Sequence, residues 1–428
     1  YLTPENLKFF YHKIVRLDIE HLKSQNDYEG LFAAYNISSY YPNYLSYEKD
    51  EYEDTYYTYL RKLNNHHKVP VLVTEFAYST SRGVSSLADD KYGNFGGMTE
   101  EEQGNAFVNA YHTIIETGSA GGLIATWQDE WDKRSWNTIE KIDIPETMNW
   151  NDVQTTNQGL GLLTFDPGKE QSVCYVDGEI SEWSEEDIVV DTKDLSLSVK
   201  QDEKYLYFFV DKKKNQQIPL YIPLDVTNKS GTKSADYYNL KFDRDVDFLI
   251  VLDGTEGKIL VQEYYDVLNA VDGYELLGRN SYEFKPSKDS SKFDDINLLI
   301  EPYSTNKYSR NYKQATLVNT GHLTFGNGNP SSTDYNSQAD FYENDGKIEI
   351  RIPWQILNFS DPSSMMIHDD YYEHYGVESY KIDELYLGAS FSSDISLSSY
   401  KLKPWGEKIT YHERLKKSYD IVKKDWRG

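Results

Sequence analysis

VPVLVTEFAY, residues 69–78, decides how the chain is read. Val69, Val71, Leu72 and Val73 put apolar side chains on both faces of an extended segment, as in a strand buried between layers. Pro70 suits the start of such a strand and not its middle. Glu75 follows the apolar run and precedes Phe76, so it falls where a parallel strand leaves its sheet. In α/β barrels and doubly wound sheets that rim holds the chemistry. A carboxylate placed there needs a partner, a ligand or a shifted proton affinity, because an unpaired buried charge is costly. A salt bridge at the strand end meets the same need without catalysis.

Working outward, residues 31–35 (LFAAY) and 121–127 (GGLIATW) read as two further strands. A charged, Tyr-rich helix is expected over 48–65, and a helix over 99–117 opens with a capping box, Thr99 and Glu102. An apolar stripe over 7–22 predicts a helix near the start, with Thr3 and Pro4 as its opening. Alternating helix and strand is the signature of a parallel sheet with helical crossovers. Only three such strands are present, whereas a closed barrel needs eight. From Tyr175 the texture changes to alternating strands over 188–190, 195–199, 205–210, 220–224, 247–252, 258–264, 347–352 and 385–390, which read as an all-β sandwich. The expected organisation is a partial (β/α) barrel over 1–148, a linker over 149–174 and a β-sandwich over 175–428. Residues 267–341 look like a polar insertion. The basic end, 405–428, reads as a short helix or a frayed tail.

The 428 residues carry 70 Asp and Glu against 44 Lys and Arg, a formal net charge of −26. That balance repels nucleic acid and anionic membranes and suits a neutral or cationic partner. The 38 Tyr against 17 Phe suit sugar rings, which use a flat face and a hydroxyl, and equally suit half-exposed strands. Cys174 is the single cysteine, so no internal disulfide forms. No apolar run reaches membrane-spanning length, and no signal peptide is visible. The chain opens at Tyr1 inside a helix-like pattern, as expected of a piece of something longer. No zinc motif, phosphate loop or nucleophile elbow occurs; GNGNP at 326–330 is followed by Ser-Ser-Thr rather than by a helix with Lys.

Three stretches resemble the end of the catalytic barrel of clan A glycoside hydrolases, family 2 type, over about the first third of the chain. AAYNISSYYPNY is similar to the sixth strand, VLVTEFAYSTSRG to the seventh and GGLIATWQDEWDKRSWNT to the eighth. The resemblance implies that Glu75 is the nucleophile of a retaining glycosidase acting on β-linked glycans. It implies that Trp127 stacks on the sugar, and that Tyr40 or Tyr41 hydrogen-bonds near Glu75 and holds it ionised. Asp129, Glu130 and Trp131 fall in the same substrate-lining stretch. Retaining chemistry needs a second carboxyl about 5–5.5 Å away. In the clan it follows an Asn at the end of strand four. No strand ending in Asn-Glu occurs here, and five strands are missing. Asp129 or Glu130 offers a carboxylate, or pairs with Lys133 or Arg134 on a surface loop. The chain alone is therefore not expected to turn over glycosides. The alternative is a noncatalytic glycan-binding or surface-polysaccharide module, including the soluble part of a membrane glycosyltransferase. A missing amino-terminal fragment or self-association would complete the three units.

A second resemblance covers most of 175–402. VDGEISEW, YLYFFVD, YIPLDVTN, VDFLIVLDG and ADFYENDGKIEIRIPWQILNFSDPS are similar to family 9 carbohydrate-binding modules. It implies a sugar end held between aromatic rings, with Trp183, Trp354 and the cluster of Tyr264, Tyr265 and Tyr274 as candidates; each also fits a packed core. Tyr264 and Tyr265 are adjacent, so on a strand one of them faces out. No cofactor is expected apart from structural calcium, for which Asp177, Glu179, Asp187, Asp225, Asn228 and Asp253 supply oxygen-rich loops without assignable ligands. The implied partner is a polysaccharide or oligosaccharide, and the implied location is extracellular or the cell surface.

Overall fold

The computed structural model describes residues 33–36, 55–87, 94–214, 219–273, 285–301, 315–374 and 376–427. The helix expected over 7–22, Tyr40, Tyr41 and Tyr274 lie outside the described residues. Strands dominate, with few helices.

The first part holds β1 (Ala33–Asn36), α1 (Thr55–His66), β2 (Val71–Phe76), α2 (Glu100–Glu116) and β3 (Gly121–Ile124). The strands form one parallel sheet in the order β1-β2-β3, with Ala33 opposite Val71 and Leu72 opposite Gly121. Thr99 caps α2 as its sequence predicts: its side chain accepts from the Glu102 amide, and the Glu102 carboxylate accepts from the Thr99 amide. Val71, Val73 and Phe76 are buried with Phe107, Ala110 and Ile114 of α2 and with Tyr56 and Leu60 of α1.

β4 (Leu163–Pro167) follows, and then the strands of the sandwich: β5 (Ile188–Asp191), β6 (Leu195–Gln201), β7 (Tyr205–Lys212), β8 (Leu220–Asp225), β9 (Phe248–Asp253), β10 (Glu256–Gln262), β11 (Phe293–Asp295), β12 (Phe341–Asn344), β13 (Lys347–Pro353), β14 (Glu384–Leu387) and β15 (Ser398–Lys401). One sheet runs β12-β13-β7-β6-β5, and the other runs β11-β10-β9-β8-β14-β15. Alternate residues meet between them: Leu206, Phe208 and Val210 from one side, Ile222, Leu224, Phe248 and Ile250 from the other. The outer faces are covered as well. Tyr205 and Tyr207 lie under Cys174 and Val153, while Leu249, Val251 and Leu260 lie under Phe242 and Ile395. Burial on both faces is why β7 reads YLYFFV without polar alternation.

Two expectations about organisation change. Residues 149–174 are not a linker. Trp150 belongs to the sandwich core, and β4 pairs antiparallel with β16 (Tyr411–Leu415). Glycine in this stretch permits close backbone approach: a Cβ on Gly161 would lie 2.3 Å from the Asp129 nitrogen. The basic end takes the short-helix alternative rather than the frayed one, and it is not part of the sandwich. After β16 comes α3 (Lys417–Trp426), whose Ile421 and Ser418 lie against Gly104 of α2. The chain's end thus straps the sandwich to the parallel sheet.

Candidate functional site

Because β1, β2 and β3 are parallel, their carboxyl ends share one rim. The ladder between β2 and β3 shifts register between Val73 and Phe76. That irregularity brings Phe76 onto the same buried side as Val71 and Val73, where regular alternation would have put Glu75. Glu75 is left exposed. Beyond β3, Trp127 has 55% of its surface exposed. Its ring is braced edge-on by Tyr419 of α3, with centroids 5.9 Å apart. Its carbonyl accepts from the amides of Leu162 and Leu163, both at 3.0 Å, which fixes the backbone beneath the indole. An exposed carboxylate and an exposed indole therefore stand at the ends of adjacent parallel strands.

The neighbouring candidates are occupied by structural work. Asp129 is buried; one oxygen accepts from the Lys416 ammonium and from the Gly161 amide, each at 2.8 Å. Its partner is Lys416, not Lys133 or Arg134. Glu130 stands 3.6 Å from Lys133, a half-exposed pair three residues apart. Trp131 is buried, and among the described residues its indole nitrogen has no partner.

In the sandwich Trp354, Tyr264 and Tyr265 turn inward, while Trp183 is half-buried. Trp354 is 0% exposed, and its Nε1 donates to the Asp202 carbonyl at 2.9 Å. Trp183 stacks on Phe209 at 5.4 Å and donates to the Glu349 Oε1 at 2.7 Å. Tyr264 and Tyr265 are both buried, because the chain leaves β10 at Gln262 and strand alternation ends before them. The Tyr264 hydroxyl donates to Asp370 and the Tyr265 hydroxyl to the His368 carbonyl. The buried rings of Trp354, Tyr264 and Tyr265 offer no platform to a sugar. The VDGEISEW stretch is organised around Glu349 of β13, which also accepts from the amides of Asp177 and Gly178 at 3.0 and 2.7 Å. Burial pushes the Glu349 carboxyl up to about 7 against the pull of these donors. Among the described residues no group of three or more His, Cys, Asp or Glu is placed to hold a metal. Of the calcium candidates, Asp177 accepts from Asn329, Asp187 from Ser184 and Asp225 from Arg244.

A cavity of about 100 Å³ lies where the parallel sheet, the sandwich and the carboxyl-terminal strap meet. Neither Glu75 nor Trp127 lines it. Its walls are ionic. Asp166 of β4 bonds Lys204 at 2.9 Å and Arg414 at 2.6 Å. Burial alone would raise the Asp166 carboxyl, but the two cations overcome it and hold the group well below the usual carboxylate range. Arg414 also forks onto Glu100 in the first turn of α2, and Arg82 bonds Asp340. Cys174 is buried here, and burial pushes its thiol well up, which leaves it unsuited as a nucleophile.

The sequence gives little sign of several exposed aromatics, Trp136 and Tyr237 among them. Trp136 lies half-exposed in the same loop as Trp131, its Nε1 donating to the Ser85 carbonyl at 3.3 Å. Tyr237 is 89% exposed and sits 4.8 Å from the Tyr238 ring, in a short turn before the strand Leu240–Val246. Its signal was the doubled Tyr beside turn residues in DYYN. No protein-family model, curated protein or solved structure matches the chain.

Proposed function

We propose that this chain belongs to an extracellular or cell-surface carbohydrate-active protein, and that it recognises glycan without cleaving it by itself. β1, β2 and β3 are taken as the last three β/α units of a clan A barrel, and the sandwich as a carbohydrate-binding-like module that acts here as scaffold. The observation that carries the reading is the Trp127 indole, open to solvent at the carboxyl rim next to the strand bearing Glu75. An indole on the same strand-end rim as a carboxylate suits a sugar ring, which stacks by its apolar face and donates through its hydroxyls. Cleavage with retention needs a second carboxyl about 5–5.5 Å from the first. Asp129 is buried and held by Lys416, and Glu130 lies in a half-exposed pair with Lys133. A net charge of −26 is consistent with a partner other than nucleic acid.

The likeness of VLVTEFAYSTSRG to a nucleophile strand favours a second reading, in which the parent is a retaining hydrolase that supplies its acid from further β/α units. Aryl β-glycosides separate the two. The purified chain should release no phenol above background, and Glu75→Gln should change nothing. Turnover by the wild type that Glu75→Gln abolishes would replace recognition by hydrolysis.

A further inference from the structure

The junction cavity reverses the sign of the molecule around it. Five cationic side chains line it (Arg82, Lys204, Arg351, Arg414 and Lys416) against four carboxylates, in a chain of net charge −26. Four of the cations are matched: Arg82 to Asp340, Lys204 and Arg414 to Asp166, and Lys416 to Asp129. Arg351 of β13 is the remainder. Among the described residues no carboxylate lies within ion-pair distance of it, and the one beside it, Asp340, is forked by Arg82. Of its five N–H donors, Nη2 reaches the Ser337 carbonyl at 2.9 Å, while Nε is buried with no partner among the described residues. The guanidinium lies over the Tyr205 ring, 4.8 Å from its centroid.

A guanidinium whose buried Nε has no acceptor is unfavourable unless something else supplies one. Here it faces a space of about 100 Å³. A planar fork with free donors matches a carboxylate in two parallel hydrogen bonds. We propose that the cavity is a carboxylate-binding site, with Arg351 clasping the acid group of a small organic acid or of an acidic sugar. The site is separate from the Glu75 rim and stands whether or not that rim binds glycan. The acidic sugar is the source that would join the two.

The test is isothermal titration of the full chain with sodium acetate, D-glucuronate and D-glucose at matched ionic strength, on wild type, Arg351→Lys and Arg351→Met. Wild type should bind at least one of the acids and not D-glucose. Arg351→Lys, which keeps the charge and loses the fork, should weaken binding about tenfold, and Arg351→Met should abolish it. Acetate binding as tightly as glucuronate identifies a small-acid site; glucuronate alone identifies an acidic sugar. Thermal melting without ligand supplies an independent readout: Arg351→Met should match or exceed the wild type, because the side chain is held for a ligand and not for the fold. No heat with either acid, or equal affinity in wild type and Arg351→Lys, overturns the proposal.

Discussion

Glu349 shows how one buried carboxyl organises a stretch of sequence that looks functional. The Trp183 indole, two backbone amides and the Cys174 thiol all donate to it. Replacing Trp183 with Phe removes the 2.7 Å bond to Oε1 and leaves a buried acceptor short. The expected cost is about 1–3 kcal/mol. Because the lost donor favours the ionised form, the cost should be larger at alkaline pH than at mildly acidic pH. Urea titrations of wild type and Trp183→Phe at the two pH values check both points, and equal stability would show the indole to be dispensable. At this scale the sequence marks residue types well and their direction poorly. Trp183 and Trp354 stand beside strand patterns, but whether a ring faces sugar or core depends on what covers the sheet. The cover comes from residues distant in sequence, such as Val153 over Tyr205 and Tyr207. Arg351 carried no signal at all, since its isolation arises from Arg82 taking Asp340 across more than two hundred residues.

At the scale of elements, the strands and helices that depend on local pattern were legible. α2 follows its capping box, and β7 to β10 follow their apolar runs to within two residues at most boundaries. Residues 149–174 were not, because glycines that allow close approach look in sequence like glycines that allow flexibility. The strap β16–α3 was also hidden: its role lies in what Arg414 and Lys416 reach, not in its own periodicity. Arg414 alone serves Asp166 and Glu100. Arg414→Met leaves both carboxylates with a lost cation in a buried setting, and should cost about 3–5 kcal/mol in urea unfolding. A change below about 1 kcal/mol, the scale of an exposed pair, would mean that the strap is peripheral.

For the whole molecule the sequence foretold a parallel βαβ part followed by an all-β part, and it did not foretell how tightly they interlock. It also foretold an acidic protein, and burial adds a consequence for pH. Burial pushes the carboxyls of Asp152, Asp202 and Asp225 up to about 6 and that of Glu349 up to about 7. These groups hold protons in the folded state over a window in which the unfolded chain, with ordinary carboxyls, has lost them. Stability from this source is present at mildly acidic pH and falls as pH rises through about 4 to 7. His368 works the other way: burial lowers it to about 4, so the unfolded chain takes up its proton first and stability falls as pH drops below the ordinary imidazole value. Four carboxyls outweigh one imidazole, and a lower net charge reduces self-repulsion in the same direction. The melting temperature should be higher near pH 5.5 than near pH 7.5. The reverse order would show that these carboxyls are ionised in the fold.

The rim formed by β1, β2 and β3 is where the account of function rests. Titration calorimetry of wild type and Trp127→Ala against a panel of β-linked oligosaccharides tests it most directly. At least one oligosaccharide should bind the wild type, and Trp127→Ala should weaken it tenfold or more, about 1.4 kcal/mol, with the melting temperature unchanged because the indole is mostly exposed. Binding that survives Trp127→Ala at full strength, or no binding by the wild type across the panel, would contradict it.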